Sequence, residues 1–357
     1  MSAGNDNKTV SIRGAGPAGL AAALAAAGAG ARGVVHEQRP LVGGRFHGDF
    51  QGLENWSTAG DVLEELAILG IEPDFHHTPV RELLLMDPDG RERLCRSERP
   101  LFYLVRRGAE AGSLDRALMD QALRQGVELR FRCTVDLDEM GGGIDASGPR
   151  GADTIALGYV FATDMADGFY AAVSDDLSWR GYAYLLVHDG RGTLASCLFG
   201  GFQRRGEYLA RCVNFFQQRV GLRMRDARRF GGVGLARPPA SARRGAVLRA
   251  GEAAGFQDAL FGFGIRYALL SGHLAGYCIA VGRHGEYDTQ WRRRFGGMLH
   301  SALFNRRLYE WGGHWAYRYL VWRVCVTRQP RQWLRRFYGS SWYKRTAARL
   351  LAGEGGK

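Results

Sequence analysis

Near its start the chain runs Thr9-Val-Ser-Ile-Arg13, then Gly14-Ala15-Gly16-Pro17-Ala18-Gly19, then an alanine-rich stretch to Ala31, then Val34-Val-His-Glu37. No other segment restricts the fold so strongly. The order predicts strand, tight turn, helix and second strand. Gly14 permits the sharp exit from the strand, Gly16 lets backbone amides approach a pyrophosphate, and Gly19 lets the helix lie close on the sheet. The first turn of such a helix carries unpaired N–H groups and a partial positive charge, which suit phosphate. Glu37 stands 23 residues past Gly14, at the end of the second strand, where a carboxylate accepts hydrogen bonds from ribose hydroxyls. Together these features predict a dinucleotide site. Arg13 departs from the usual apolar residue at its position and is read as a side chain reaching outward from the strand end.

At 357 residues the chain is long enough for two or three substructures with sizeable cores. Leu20 to Ala31 is too short to span a bilayer and reads as the helix after the turn, and no charged segment followed by an apolar core suggests a secretory signal. The six cysteines are scattered without Cys-x-x-Cys spacing, which argues against zinc, iron–sulfur or disulfide frameworks and for a reducing, cytoplasmic setting. No metal site is expected, and His76-His77 lacks a third ligand at metal spacing. The formal charge of +12 is unevenly placed. Residues 291–357 hold fifteen Lys and Arg against Glu310 and Glu354, and six of the eight tryptophans, so the body carries about −1.

A second informative segment lies far downstream: Ala250-Gly251-Glu252-Ala-Ala-Gly255, a glycine-bearing loop through Gly262, and an apolar helix from Gly264 and Ile265. It resembles the second flavin-contacting motif of glutathione-reductase-type FAD proteins, with Glu252 in place of the usual Asp. Within that superfamily, Gly251 to Gly276 is similar to the geranylgeranyl reductase family, in which Gly follows the Ala-Ala pair. Hydroxylating flavin monooxygenases usually have His at the place of Gly255. Gly44-Arg45-Phe46-His47-Gly48 resembles the family's Lys-x-Cys-Gly loop, and Tyr103 to Arg107, Ser113 to Leu118 and Ile144 to Pro149 resemble its intervening elements. The likeness covers about residues 9 to 282.

The resemblance implies FAD held by Gly14, Ala15, Gly16, Ala18, Gly19, Glu37, Gln38, Arg45, Arg107, Gly251, Glu252, Gly262, Gly264 and Ile265. It implies an oxidoreductase, a reductase or dehydrogenase, acting on a lipophilic, isoprenoid-like substrate. Gly181-Tyr182-Ala-Tyr184-Leu-Leu186-Val187 departs from the Tyr-x-Trp-x-Phe-Pro motif that lines the family's isoprenoid channel, so the scaffold carries over more securely than the substrate. His47, on a loop expected near the flavin and with a pKa suited to neutral pH, and Tyr182 are the candidate proton donors. An electron-transfer flavoprotein serving quinone and a flavin monooxygenase are the alternative activities.

The expected architecture is α/β. A discontinuous Rossmann-type FAD domain comprises residues 1–48, 107–148 and 245–285, an antiparallel-sheet substrate domain comprises 49–106 and 149–244, and 286–357 form a helical C-terminal region. Gly28-Ala-Gly30 and Gly231-Gly-Val-Gly234 do not form a second dinucleotide turn, so electrons come from a transient NAD(P)H or from a protein carrier. Arg and Lys mixed with Trp and Tyr in residues 291–357 fit three roles: an anionic membrane surface, at the inner face of which the protein sits peripherally, an acidic electron-carrier protein, or a packed helical subdomain. Nucleic acid is disfavoured for want of a recognised module.

Overall fold

The computed structural model describes residues 8–342 together with Lys344 and Thr346; the remaining residues of the N-terminal segment and of the basic tail lie outside the described set. The helices, in chain order, are α1 (Pro17–Gly28), α2 (Val62–Ile68), α3 (Leu114–Arg124), α4 (Arg205–Val220), α5 (Ile265–Ala280), α6 (Tyr287–Trp291), α7 (Gly297–Val326) and α8 (Pro330–Phe337). Thr9–Arg13 pairs in parallel with Arg32–Glu37 on one side and with Gly143–Asp145 on the other. A six-stranded sheet results, with Glu128–Phe131 at one edge and the short hairpin Arg243–Arg244/Val247–Arg249 at the other. Arg13 reaches the neighbouring strand and forms an ion pair with the buried Asp145 at 2.8 Å, which accounts for a charged residue at the strand end.

Helices α1 and α5 pack backbone to backbone. A Cβ at Gly272 would lie 2.0 Å from the Ala18 carbonyl oxygen, and one at Gly276 would lie 2.0 Å from that of Ala22. This approach requires small residues on both helices, and it brings their N-termini to the same end of the sheet.

The second sheet has seven strands in the order Arg225–Gly234, Thr154–Ala162, Arg191–Leu198, Tyr182–His188, Gly168–Ala172, Glu82–Met86, Glu92–Arg96. All pairings are antiparallel except that of Gly168–Ala172 with Glu82–Met86. Period-two alternation divides its faces. Ala183, Leu185 and Val187 join Tyr208, Cys212 and Phe216 of α4 in one core cluster, while Tyr182, Tyr184 and Leu186 face the opposite way. A small three-stranded sheet of Phe50–Glu54, Phe102–Arg106 and His77–Val80 connects the two larger ones.

The C-terminal helices are built into this body. Trp291 and Phe295 pack on Phe256 and Tyr267, with ring centroids 4.8 to 5.6 Å apart for the Phe256–Trp291, Phe256–Phe295 and Tyr267–Phe295 pairs. Arg331 of α8 is buried and donates to the carbonyls of Asn55, Thr58, Ala59 and Gly60. Arg294 pairs with Glu65 at 3.0 Å and Arg318 with Asp89 at 2.5 Å. Part of the tail's charge is therefore matched by acids and carbonyls of the body. Helix α7 is broken at Gly313 (φ 49°, ψ −134°), a conformation that suits glycine. No helix among the described residues is long and apolar enough to cross a membrane.

Candidate flavin and substrate site

One cavity of about 640 Å³ begins at the glycine turn, passes the N-terminus of α5 and ends in an apolar chamber under the seven-stranded sheet. At its first end Gly14 has φ +102°, and its amide donates to the His36 carbonyl at 2.8 Å, which fixes the turn against the second strand. The three glycines have separate duties. A Cβ at Gly14 would lie 2.4 Å from the Ala146 carbonyl oxygen, and one at Gly19 would lie 1.8 Å from that of Gly14, so both glycines serve packing. A Cβ at Gly16 would meet nothing within 4 Å, and Gly16 lines the cavity. Its freedom from side chain leaves space in front of the α1 amides.

Ala15 and Ala18 also line this end, as do Glu37 and Gln38. Glu37 accepts from the Ala15 amide at 2.8 Å and from the Arg39 amide at 2.9 Å, so it braces the turn as well as facing the cavity. Each carboxylate oxygen retains a second acceptor site.

At the middle of the cavity Gly251 (φ +60°) lies against Ala18, where a Cβ would come 2.9 Å from the alanine methyl. Glu252 follows. Its Oε2 is buried without a hydrogen-bond partner among the described residues. Burial pushes its carboxyl up, and the charges of Arg45 and Arg107 act against that shift. A buried carboxylate oxygen left without a donor, facing a cavity, suits a ligand that brings hydroxyl groups. Gly262 (φ +73°), Gly264 and Ile265 form the loop and first turn of α5 on the same wall. Two helix N-termini, those of α1 and α5, thus open into one cavity, each with unpaired amides and a partial positive charge. Gly255 has φ +76°, and a Cβ there would lie 2.2 Å from the Arg237 carbonyl oxygen, so this backbone has no room for a histidine.

Arg45 and Arg107 stack on the ring of Phe46, with Cζ 4.6 and 4.1 Å from its centroid. Arg107 is largely committed within the protein. It forks to Asp115 with two bonds of 2.8 Å and donates to Gln51 at 2.8 Å, so its first duty is to hold this loop to α3.

The two proton-donor candidates fare differently. His47 is exposed and is not part of the cavity wall, because the loop turns its side chain outward. Asp49, two residues on, is buried and does line the cavity. Burial pushes its carboxyl up, against hydrogen bonds from the His47 amide and the Gln51 side chain. Sequence reasoning passed over Asp49; the signal available was an acid at the end of the loop, directly before the strand Phe50–Glu54. Tyr182 lines the cavity, but its hydroxyl donates to the Phe261 carbonyl, and burial raises its pKa well above the usual tyrosine value. Tyr184, the next residue on the same face, has no hydrogen-bond partner for its hydroxyl among the described residues and also faces the cavity.

The far end of the cavity is apolar. Leu83, Leu85, Val173 and Leu186 line it from the sheet, Trp56 and Phe102 from the linking strands, and Leu320, Val321, Val324 and Leu334 from α7 and α8. The aromatic-rich tail is therefore one wall of the chamber, a role that became visible only with the tertiary packing. His77 Nδ1 lies 2.8 Å from the Phe75 carbonyl oxygen, and no group of three or more His, Cys, Asp or Glu side chains placed to hold a metal ion is found among the described residues.

A parallel sheet with its glycine turn, a second helix aimed at the same cavity and an antiparallel sheet roofing it together form the fold of FAD-binding oxidoreductase-type flavoproteins. A geranylgeranyl bacteriochlorophyll reductase-like protein of Thermoplasma acidophilum superposes with a TM-score of 0.71 at 16% identity, covering 96% of both chains. A triple mutant of the flavin-dependent brominase Bmp2 gives 0.68 at 16% identity over 97% of this chain and 98% of that one. An anhydrotetracycline hydroxylase from Streptomyces rimosus gives 0.58 at 17% identity, over 93% and 75%. No protein-family model and no curated protein matches the sequence.

Proposed function

We propose that this chain is an FAD-dependent oxidoreductase acting on a lipophilic substrate. The observation that carries the reading is the single cavity with a polar end at two helix N-termini and an apolar end walled by Leu83, Leu85, Leu186, Leu320 and Val324. The residues present suit FAD. The space before Gly16 and the α1 amides fit a pyrophosphate, Glu37 and Glu252 offer acceptors to hydroxyl groups, and the α5 N-terminus favours negative charge beside it. When bound, FAD supplies hydride chemistry. The chain's own part is to orient the substrate against the cavity wall, to exclude water from the apolar chamber and to hold a proton at Asp49.

Among the three activities the sequence allows, reduction or dehydrogenation fits best. The glycine-only backbone at Gly255 counts against the hydroxylases with histidine at that place, and the apolar lining of the chamber suits a lipophilic organic molecule. A transient NAD(P)H is the proposed electron source. The test is to purify the protein, identify its flavin, and mix the photoreduced enzyme anaerobically with a lipophilic alkene, with a quinone, and separately with oxygen. Reoxidation by alkene with a saturated product supports the reading. Reoxidation by quinone alone favours the electron-transfer alternative, and absence of any flavin overturns the reading altogether.

A further inference from the structure

The second half of α7 carries apolar side chains on two opposite faces. With about 100° per residue, Tyr317, Leu320, Val321 and Val324 fall on one side of the helix, and Trp315, Tyr319, Trp322 and Val326 within an arc of about 60° on the other. The inner set is buried, and Leu320, Val321 and Val324 of it wall the cavity. The outer set is exposed, Trp315 by 77% and Tyr319 by 56%, and before the break at Gly313 Leu308 and Trp311 are exposed as well, the latter by 89%. A core helix has no use for large aromatics on its solvent face, and a run of them is uncommon on a monomer surface. Arginines border the stripe: Arg323 lies over the Trp333 ring at 5.8 Å, Arg318 lies over the Trp315 ring at 5.3 Å, and Arg328 is exposed just past the helix end.

We propose that this outer face of α7 docks the protein on an anionic lipid bilayer, with the helix lying in the plane of the headgroups. Tryptophan and tyrosine place an apolar ring in the acyl boundary and a polar edge among the headgroups, and Arg323 and Arg328 beside the stripe meet lipid phosphate. Charge complementarity selects this occupant. Residues 291–357 carry fifteen basic against two acidic residues, more than the ion pairs with Glu65 and Asp89 absorb. The docking assignment stands on the outer face alone. That the same helix walls the cavity sets a lipid-dissolved substrate one helix away from the chamber, and this consequence rests on the function proposed above.

The test is co-sedimentation of the full chain with phosphatidylcholine vesicles with and without phosphatidylglycerol, compared with the triple variant Trp315→Ser, Tyr319→Ser, Trp322→Ser. These side chains are exposed, so the variant keeps the wild-type circular dichroism spectrum and flavin content, which are measured alongside. The expected result is pelleting with anionic vesicles, weakened but retained at high salt, and a loss of about tenfold or more in partitioning for the variant. Wild-type protein left in the supernatant at low salt overturns the proposal, whatever its flavin content. Vesicle binding that is abolished by salt and unchanged in the triple variant also overturns it, and points to a charge-steered acidic protein partner. A wild-type dimer in solution that the triple variant converts to monomer assigns the face to a second copy of the chain instead.

Discussion

Replacing Gly16 by leucine separates ligand binding from folding, because this glycine has no structural need to be one. It caps α1 with φ −79° and ψ −179°, a backbone that any residue adopts, and the space where its Cβ would go is open. The fold should accept the substitution within about 0.5 kcal/mol, the range of a change that meets no neighbours. A leucine there occupies the space in front of the α1 amides. Displacing a pyrophosphate from two such amides removes two charge-assisted hydrogen bonds of about 1.5–3 kcal/mol each. The total of roughly 3–6 kcal/mol corresponds to a loss of about 10²- to 10⁴-fold in affinity. Gly19→Ala is the counterpart, since its Cβ would lie 1.8 Å from the Gly14 carbonyl oxygen and the strand–helix contact must open. Flavin released from purified protein by denaturation, FAD titration of the apoprotein and thermal melting of each apoprotein give the three readouts. Gly16→Leu should melt like wild type and bind FAD weakly, whereas Gly19→Ala should lose stability itself. Recovery of Gly16→Leu with full FAD occupancy would refute the assignment of this space to the pyrophosphate, and unfolding as severe as that of Gly19→Ala would refute the division of roles.

Three further outcomes follow from the site and the tail. Asp49→Asn should slow turnover by about 10²-fold or more, within the usual range for loss of a positioned acid, while His47→Ala leaves it within about twofold; stopped-flow reoxidation of the reduced enzyme measures both. The carboxyl of Asp258, buried beneath Tyr338 and the Leu260 and Phe261 amides, is pushed up by burial to about 6 from an ordinary 3.8. A carboxyl raised on folding contributes stability that is complete below its unfolded pKa and is lost as pH rises through the folded one. The stability advantage of wild type over the non-titrating Asp258→Asn should therefore shrink between about pH 4 and 6 by at most roughly 3 kcal/mol, read from denaturant melts at each pH; a gap that widens with rising pH contradicts the burial argument. Arg331→Met should cost about 2–4 kcal/mol in the same melts, because it removes the one charged donor shared by the carbonyls of Asn55, Thr58, Ala59 and Gly60, and a change below about 0.5 kcal/mol would show that the tail is not clamped there.

The local chemistry of the nucleotide turn was legible because it depends on neighbours in the chain. Gly14, Gly16, Gly19 and Glu37 are brought together by one strand–helix–strand unit, and spacing alone predicts it. The second motif at Gly251 to Ile265 was likewise readable as strand, loop and helix, and its likeness to a known family linked it to the first. Sequence also determined the two-faced strand of Tyr182 to Val187, because alternation has a period of two wherever the strand packs. What the chain could not disclose by itself was orientation across long separations. His47 and Asp49 are two residues apart on one loop, and which of them faces the cavity depends on Phe46 being held between Arg45 and Arg107 and on Arg107 being held by Asp115. The tail is the larger example. Composition marked residues 291–357 as cationic and aromatic, but a helix with apolar residues on both faces reads the same whether it is buried, solvated or lying on lipid. Only the tertiary structure sends Leu320, Val321 and Val324 into the cavity wall and Arg331 into the carbonyls of a loop more than 270 residues earlier, leaving Trp315, Tyr319 and Trp322 outside. Burial is decided by which surfaces meet, and that information is not carried by any one segment of the chain.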